Sequence, residues 1–342
     1  MSIVDDAQRL AETVELRAAL DRTLRQLDKA NSKGQDLVDA VYRAAKDAAS
    51  ALIIVPVPKP VPDRRKGHAE VAVAILSDWQ LGKKTPTYSS DVCEQRVAQY
   101  ADKVIKLANI QRSNHPVREV RVWLLGDLVE GELIFPGQAH RIDSSLYRQV
   151  TLDGPRILAN FLRKMLGSFD RVHVTAVIGN HGAIGGPVRR ESHPETNADT
   201  MLYRIVNQIV VDPRLTWNIA DPAGERGWYA IDEIGTFRSL LFHGDQIRGG
   251  FAGFPLYGLA KKVWGWQSGA VPESFTHAAL GHWHTPDSKV LNHTVIWVNG
   301  STESDNTYAQ EQLAASGRPC QWLLFIDPEK GRATAEYRVW LD

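Results

Sequence analysis

Six short apolar runs, each ending in a polar turn, constrain the fold of this chain more than any other feature. In chain order they read VAVAILSD, VRVWLLGD, VHVTAVIGN, FRSLLFHGD, HAALGHWH and TVIWVNGS. Amphipathic stretches with helical spacing lie among them, at residues 92–111, 156–167 and 198–211. Two later runs, WLLFIDP and ATAEYRVWL, flank a turn at residues 329–331. Buried strands that alternate with helices predict an α/β or layered sandwich core.

The chain before these runs predicts a separate organisation. Apolar residues at helical spacing predict two helices within residues 1–52. Helices this short bury little surface alone, so they form either a packed hairpin or an arm through which the chain self-associates, and we prefer the homo-oligomer. Residues 53–69 alternate prolines with small apolar residues and end in basic residues, which predicts an extended linker. Residues 70–342 then form the main domain.

Composition excludes several classes of protein. The chain has 40 Lys and Arg against 40 Asp and Glu, so a nucleic-acid partner would need a local basic patch. The two cysteines, Cys93 and Cys320, lie far apart, which argues against a disulfide framework or a zinc-thiolate site. No apolar run approaches the roughly 18 residues of a membrane-spanning helix, and the charged N-terminus does not look like a signal peptide. We therefore expect a cytoplasmic protein without membrane contact.

Five of the apolar runs end in residue types that bind metals. Since ligand sites in open α/β sheets lie at the carboxyl ends of strands, these clusters should meet in one cleft. Imidazole and carboxylate groups suit manganese, iron, zinc or nickel, and two such ions can clamp the oxygens of a phosphoryl displacement. The clusters are Asp78-Trp79-Gln80, Gly126-Asp127 with Glu130, Gly179-Asn180-His181, His243-Gly244-Asp245 and Gly281-His282-Trp283-His284.

The order of these clusters resembles the calcineurin-like metallophosphoesterases, whose usual pattern is Asp-x-His, Gly-Asp-x-x-Asp, Gly-Asn-His-Asp/Glu, a lone His and Gly-His-x-His. The match is collinear over residues 72–301 and continues into Asn299-Gly300-Ser301. The resemblance implies an α/β fold, a double β-sheet sandwich flanked by helices in α/β/β/α layers. It also implies a binuclear centre of two divalent ions; we expect Mn²⁺, with Zn²⁺, Fe²⁺, Ni²⁺ and Mg²⁺ as alternatives.

The resemblance further implies a role for each matching residue. One ion would be held by Asp78, Gln80, Asp127 and His284. The other would be held by Asp127, Asn180, His243 and His282. His181 would be catalytic, because it would lie over the phosphate and stabilise charge or protonate the leaving oxygen.

Three positions depart from the family pattern. Gln80 stands where His is usual, and its neutral amide would bind the first ion more weakly. Glu130 replaces Asp, and Gly182 replaces the acidic residue that can orient the histidine, so Asp245 or Glu132 is expected to take that task. A non-catalytic phosphate-binding scaffold is therefore one alternative function.

The substrate is predicted from basic residues and from one further motif. Ser77-Asp78-x-x-Leu81-Gly82-Lys83 resembles the start of the DNA-repair exonuclease branch and related phage nucleases. The resemblance favours a DNA nuclease, with a phosphatase or small-nucleotide phosphodiesterase as the alternative enzyme. Trp264 and Trp266, near Lys261 and Lys262, are candidates for stacking on substrate, although core packing is the simpler interpretation. The basic residues placed to meet substrate phosphate are Lys83, Lys84, Arg189 and Arg248.

Overall fold

The computed structural model describes residues 57–184, 194–220, 227–248, 254–306 and 317–342, together with Arg43 alone. The predicted arm of residues 1–52 lies outside the described residues except for Arg43, and so does Arg189. The described part of the predicted linker, residues 57–69, contains no helix or strand. Arg118 fixes this segment, because its guanidinium donates to the backbone oxygens of Asp63 and Arg65 at 3.0 and 2.9 Å.

The first sheet has six strands in the order β11-β10-β1-β2-β3-β4. Strands β1 to β4 run parallel, while β10 is antiparallel to both β1 and β11. Side chains of β1 point alternately to opposite faces and are buried on both, which explains its unbroken apolar run. The strands are β1 Glu70–Leu76, β2 Val117–Leu124, β3 Arg171–Ala176, β4 Leu215–Ile219, β10 Cys320–Asp327 and β11 Arg332–Trp340.

The second sheet has five strands in the order β5-β6-β7-β9-β8. Its central strands β6, β7 and β9 are parallel, and the edge strands β5 and β8 are antiparallel to their neighbours. The bounds are β5 Tyr229–Ile234, β6 Phe237–Phe242, β7 His277–Leu280, β8 Asp287–Leu291 and β9 Thr294–Val298.

Helices cover the outer faces of both sheets. The α-helices are α1 Ser90–Gln111, α2 Leu146–Arg148, α3 Gly154–Leu166, α4 Ala198–Ile209 and α5 Leu256–Gly265. Buried residues of α1, α3 and α4 pack on the first sheet, and Leu259 and Val263 of α5 pack on the second. Between the sheets, Ile75 and Trp123 pack with Phe237 and other apolar residues. The predicted α/β/β/α double-sheet sandwich is therefore confirmed.

The carboxyl ends of the parallel strands from both sheets meet at one edge of the sandwich. The Asp78 N–H donates to the Gly126 carbonyl at 3.1 Å and joins the ends of β1 and β2. The Gly281 N–H donates to the His243 carbonyl at 2.8 Å and joins the ends of β7 and β6. This convergence brings together the polar clusters that follow the strands. No helix among the described residues is long and apolar enough to cross a membrane.

Candidate metal centre

Four of the predicted ligands, Asp127, Asn180, His243 and His282, meet at one point. His243 Nε2 lies 3.0 Å from Asp127 Oδ2 and 3.0 Å from Asn180 Oδ1. It also lies 3.2 Å from His282 Nδ1. Ligand atoms of Asp127, His243 and His282 all lie within 4.8 Å of one another. The ends of β2, β3, β6 and β7 thus present one carboxylate, one amide and two imidazoles to the same small volume.

The donor set of this first cluster fits a divalent cation. His243 Nδ1 lies 2.8 Å from the Leu125 carbonyl, which assigns the proton of a neutral ring to Nδ1 and directs the lone pair of Nε2 into the cluster. The carboxylate and amide oxygens that face Nε2 are acceptors as well. A single proton cannot bond several acceptors at once, whereas one cation among them can. The group needs no thiolate and suits the borderline metals that imidazole and oxygen share.

The electrostatics of the cluster favour positive charge. Burial would lower the pKa of His243, but the Asp127 carboxylate beside it raises that pKa to about 10. Burial would likewise raise the pKa of Asp127, yet the charges of His243 and His181 hold it well below its usual range. Burial and the nearby His243 both lower the pKa of His282. Asp127 is therefore anionic, and the cluster attracts either a proton or a cation.

Asp78, Gln80 and His284 form a second cluster beside the first. His284 Nε2 lies 3.4 Å from Asp78 Oδ1 and 3.2 Å from Gln80 Nε2. On the other side of the ring, His284 Nδ1 lies 3.3 Å from Glu303 Oε2. The His282 N–H donates to Asp78 Oδ1 at 2.9 Å and ties the two clusters together. The structure thus groups all seven predicted metal ligands, four in the first cluster and three in the second.

The backbone at these ligands is strained. Five of the seven described non-glycine residues with positive φ are predicted metal ligands. Such conformations cost about 1–3 kcal/mol each and persist where the surrounding structure enforces them, often at functional sites. The strain therefore marks the same residues that the metal-ligand pattern selects. These five residues are Asp78, Gln80, Asp127, His282 and His284.

Two glycines make the close approach of the strand ends feasible. A Cβ atom at Gly179 would lie 2.1 Å from Asp127 Oδ1. A Cβ atom at Gly281 would lie 2.4 Å from Asp78 Oδ2. Any larger residue at either position would displace a ligand carboxylate, so the glycine before Asn180 and the glycine before His282 belong to the site.

His181 is oriented by Glu130. Its Nδ1 lies 2.9 Å from the Glu130 carbonyl and 3.3 Å from Glu130 Oε2, and its N–H donates to Asp127 Oδ1 at 2.7 Å. Burial would lower the pKa of His181, but the negative charges of Asp127 and Glu130 raise it to about 9. The ring is therefore protonated at neutral pH and can act as a proton donor.

The contact with Glu130 differs from the expectation that Asp245 or Glu132 orients His181. Glu132 instead accepts a hydrogen bond from the Leu146 N–H at 2.6 Å. No acidic side chain would fit at Gly182, because a Cβ atom there would lie 2.3 Å from Asn197 Oδ1. Two departures from the family pattern thus belong together: glycine makes room for Asn197, and Glu130 supplies the carboxylate that holds His181.

Asp199, at the start of α4, supports the metal-binding loops. Its carboxylate accepts hydrogen bonds from the backbone N–H groups of Asp127, Leu128 and Gly179, at 2.9, 3.0 and 2.9 Å. The side chain is fully buried. Burial and the nearby charge of Asp127 raise the pKa of Asp199 to about 6. One carboxylate therefore holds the ends of β2 and β3 at a fixed separation.

Asp199 and Glu303 are two site residues that sequence reasoning missed. Asp199 falls in the first turn of a predicted helix, where an acidic residue is common for reasons of helix capping alone. Glu303 follows Asn299-Gly300-Ser301 by two residues, and that position after a family-like motif was the available signal. Its carboxylate contacts His284 and Lys83, which lower the pKa of Glu303 to about 2 although burial opposes this.

The predicted substrate-binding residues lie in different surroundings. Lys83 is largely buried, and its ammonium donates to Gln80 Oε1 at 2.8 Å within the second cluster. Lys84 and Arg248 are exposed. The Lys84 N–H donates to the carbonyl of the exposed Arg141 at 3.0 Å, so two basic residues are neighbours there. Arg189 lies outside the described residues.

The tryptophans beside the ligands contribute to the packing around the site. Trp79 is fully buried, and Trp283 packs edge-on against His282 with ring centroids 5.2 Å apart. Trp266 is buried in the core beneath α5, which matches the simpler interpretation. Trp264 is exposed instead.

No protein-family model and no curated protein matches the sequence. Solved structures align with the chain at low identity. A predicted phosphoesterase from Streptococcus pneumoniae is 12% identical with a TM-score of 0.33, and the alignment covers 80% of this chain and 99% of that one. Vps29 from Entamoeba histolytica complexed with Zn²⁺ is 14% identical with a TM-score of 0.33, covering 79% and 99%.

An archaeal phosphodiesterase is 13% identical with a TM-score of 0.35, and the alignment covers 78% of this chain and 99% of that one. These likenesses are remote. The chemistry of the chain is therefore inferred from its own residues and their geometry.

Proposed function

We propose that the chain is a metal-dependent phosphodiesterase that cleaves DNA. The observation that carries the proposal is the meeting of Asp127, Asn180, His243 and His282 at one point, with contacts of 3.0–3.2 Å around His243 Nε2. A second divalent ion would be held by Asp78, Gln80 and His284, and the sequence resemblance implies Asp127 as a ligand of both ions. Manganese suits a site of carboxylate, amide and imidazole ligands.

The chain's own residues prepare the reaction around the ions. A bound divalent ion supplies Lewis acidity and lowers the pKa of water, which yields a nucleophile at neutral pH. The His181 ring, which Glu130 holds through Nδ1, is protonated at neutral pH and would donate its proton to the leaving oxygen of a bound ester. Glu130 fixes the ring of His181, and Asp199 fixes the loop that carries Asp127. No serine or cysteine nucleophile is needed.

The basic residues outside the clusters support a polyanionic substrate. Lys84, Arg141 and Arg248 are exposed. Lys84 and Arg248 lie within five residues of the predicted ligands Gln80 and His243, and Arg141 contacts Lys84. The overall charge of the chain is zero, so local groups of this kind must attract the phosphates of a nucleic acid. The resemblance of the residues around Ser77 to nuclease sequences points in the same direction.

The proposal is tested by hydrolysis of bis-p-nitrophenyl phosphate and of single- and double-stranded DNA, with manganese and then with chelator. We expect hydrolysis of the ester and of DNA with manganese, and neither with chelator. Hydrolysis of the ester alone would favour a small-molecule phosphodiesterase. Absence of hydrolysis with metal bound would favour the non-catalytic scaffold and contradict the proposal.

Asp127→Asn provides the matched variant. Removal of the carboxylate charge should lower metal affinity and reduce the rate by about a hundredfold or more, because Asp127 is the carboxylate of the first cluster and its Oδ2 lies 3.0 Å from His243 Nε2. Asp102→Asn is the control, since Asp102 lies on the exposed face of α1 and pairs with Lys164. An Asp127→Asn protein with full metal content and rate would show that the site is elsewhere.

A further inference from the structure

Helix α5 exposes two aromatic rings and a lysine on one face. Tyr257, Lys261 and Trp264 are spaced at i, i+4 and i+7, which places them along one stripe of an α-helix. Tyr257 is 83% exposed and Trp264 is 71% exposed. The opposite face carries Leu259 and Val263, which bury the helix against the second sheet. The aromatic stripe is therefore not needed to hold α5 in place.

The sequence around this stripe is exclusively basic. Residues 246–272 contain Arg248, Lys261 and Lys262 and no aspartate or glutamate. All three side chains are exposed. Among the described residues, no ion pair within 4.0 Å is made by Arg248 or by either lysine, and Lys262 instead lies over the Trp266 ring, 6.0 Å from its centroid. The stripe thus combines exposed aromatic rings with positive charge that acidic neighbours do not neutralise.

A chain of packed rings connects the start of α5 with the metal centre. Phe254, two residues before the helix, packs edge-on against Trp283 with centroids 5.8 Å apart. Trp283 packs in turn against His282, one of the predicted ligands, at 5.2 Å. Gly258 lies against the Arg248 backbone, since a Cβ atom there would be 2.5 Å from the Arg248 carbonyl. The helix therefore begins beside the site.

We propose that this face of α5 binds single-stranded nucleic acid next to the metal centre. Bases would stack on Tyr257 and Trp264, Lys261 would contact phosphates, and Lys262 and Arg248 would add positive charge beside the stripe. Sequence-tolerant binding of single strands uses this combination of aromatic platforms and positive charge. Seven residues of helix span about 10 Å, which corresponds to about three stacked nucleotides. The inference rests on the proposed function and names its substrate: a strand with accessible bases rather than an intact duplex.

A second copy of the chain is a poorer occupant of the same face. A symmetric contact through α5 would bring the two sets of three cations together without acidic partners, and like charges across an interface oppose association. A polyanion meets the same cations with complementary charge. The aromatic rings stack on bases, whose faces a duplex keeps inside its own stack.

The test measures binding without turnover. Fluorescence anisotropy of a labelled oligothymidylate and of a labelled duplex is recorded with the full chain in chelator, so that no cleavage interferes. We expect tighter binding of the single strand and about tenfold weaker binding for Trp264→Ala and for Tyr257→Ala. Lys261→Gln should weaken binding and reduce its salt dependence. Because Trp264 is exposed and alanine favours helix, the variant should unfold at the temperature of the wild type.

Matched controls lie on the far side of the sandwich. Trp340→Ala removes another exposed ring with a nearby cation, Arg318, and Lys106→Gln removes an exposed lysine of α1; neither should alter binding. Unchanged affinity in Trp264→Ala and Tyr257→Ala would overturn the inference. The inference would also be overturned if these two variants lose self-association, measured by sedimentation, but keep their affinity for the strand. That result would assign the face to a second copy of the chain.

Hydrolysis of bis-p-nitrophenyl phosphate separates this inference from the proposed function. Trp264 lies about two turns beyond the start of α5, so Trp264→Ala should hydrolyse the small ester at the wild-type rate. A chain that hydrolyses the ester but binds oligothymidylate independently of α5 contradicts the inference alone. A chain that binds the strand through α5 but hydrolyses neither ester nor DNA contradicts the proposed function alone.

Discussion

The Lys83 ammonium lies 2.8 Å from the Glu303 carboxylate, inside the second cluster. It also donates to Gln80 Oε1 at 2.8 Å, so the oxygen that Gln80 would offer to a metal ion is already bonded. Burial would lower the pKa of His284, but its contacts with Asp78 and Glu303 raise it to about 10. Together with Glu303 and Lys83, the second cluster is therefore close to charge balance, because the carboxylates of Asp78 and Glu303 face the Lys83 ammonium and the His284 imidazolium.

Lys83→Met should strengthen binding of a second divalent ion. The substitution removes the ammonium that competes for Gln80 and Glu303, while it keeps an unbranched side chain of similar length. We expect about tenfold tighter affinity at the second site, because the variant lacks the ammonium that repels a divalent cation at close range in a buried site. Isothermal titration with manganese, together with metal analysis of the dialysed protein, measures affinity and stoichiometry.

Lys84→Met is the control for Lys83→Met, because Lys84 is the adjacent lysine and is exposed. It should leave both stoichiometry and affinity unchanged. If Lys83→Met binds the second ion as weakly as the wild type, or loses it, then the ammonium does not compete with metal and the interpretation of the second cluster is wrong.

Glu130→Gln should shift the pH dependence of hydrolysis. The folded pKa of His181 is raised from 6.5 to about 9, so the ring stays protonated up to that pH. Neutralising Glu130 removes part of the negative charge that raises the pKa. If the protonated ring is required, the loss of activity at high pH should begin at a lower pH in the variant. The pH profile of kcat/KM for the small ester measures the shift.

The position of Glu132 provides a control for Glu130→Gln. Glu132→Gln keeps an oxygen that can accept from the Leu146 N–H, and the wild-type contact there does not involve His181. Its pH profile should match that of the wild type. An unshifted profile in Glu130→Gln, with kcat/KM otherwise intact, would remove Glu130 from its positioning role.

Asp199→Asn should destabilise the fold and weaken metal binding together. The carboxylate accepts from three backbone N–H groups, while an amide presents only one oxygen and would direct its own NH₂ at a donor. Leaving a buried donor unsatisfied costs about 1–3 kcal/mol, and more where a charged acceptor is lost. Chemical denaturation with and without manganese measures both effects. Glu195→Gln, at an exposed site, should change neither.

The central strands could be predicted from the sequence because their apolar runs are buried on both faces. The strands before Asp78, Asp127, His243 and His282 end within three residues of the predicted polar turns. The edge strands β4, β5 and β8 were not among the predicted runs. In β4 and β8 no residue is fully buried, so the apolar pattern of a strand is weak. Edge strands depend on pairing with a neighbour more than on their own composition.

The ligands could be predicted because each follows a strand end, and strand ends converge by topology. The supporting contacts could not be predicted in the same way. Glu303 reaches Lys83 across more than two hundred positions of sequence, and Asp199 reaches the Asp127 backbone across seventy-two. Such pairings depend on the three-dimensional arrangement of loops. A short motif can mark a position such as Glu303, but it does not specify which distant residue that position contacts.

His277 should make the stability of the fold depend on pH. The ring stacks between Phe237 and Trp297, with centroid distances of 4.1 and 5.6 Å. Burial lowers its pKa from 6.5 to about 4. In the unfolded chain the ring takes up a proton as the pH falls through 6.5, whereas in the folded chain it stays neutral until about pH 4. Protonation thus favours the unfolded state between these values, and stability is lost as the pH falls through this window.

The His277 contribution can be isolated with His277→Phe, which keeps an aromatic ring between Phe237 and Trp297 but cannot titrate. Between pH 7 and pH 4, the free energy of unfolding of the wild type should fall by about 2 kcal/mol more than that of the variant, after allowance for partial screening by solvent. Urea unfolding at both pH values measures the difference, and subtraction removes the titration of other groups. His293→Gln, at an exposed histidine, should retain the wild-type pH dependence. Equal losses in wild type and His277→Phe would show that burial of this ring does not couple folding to pH.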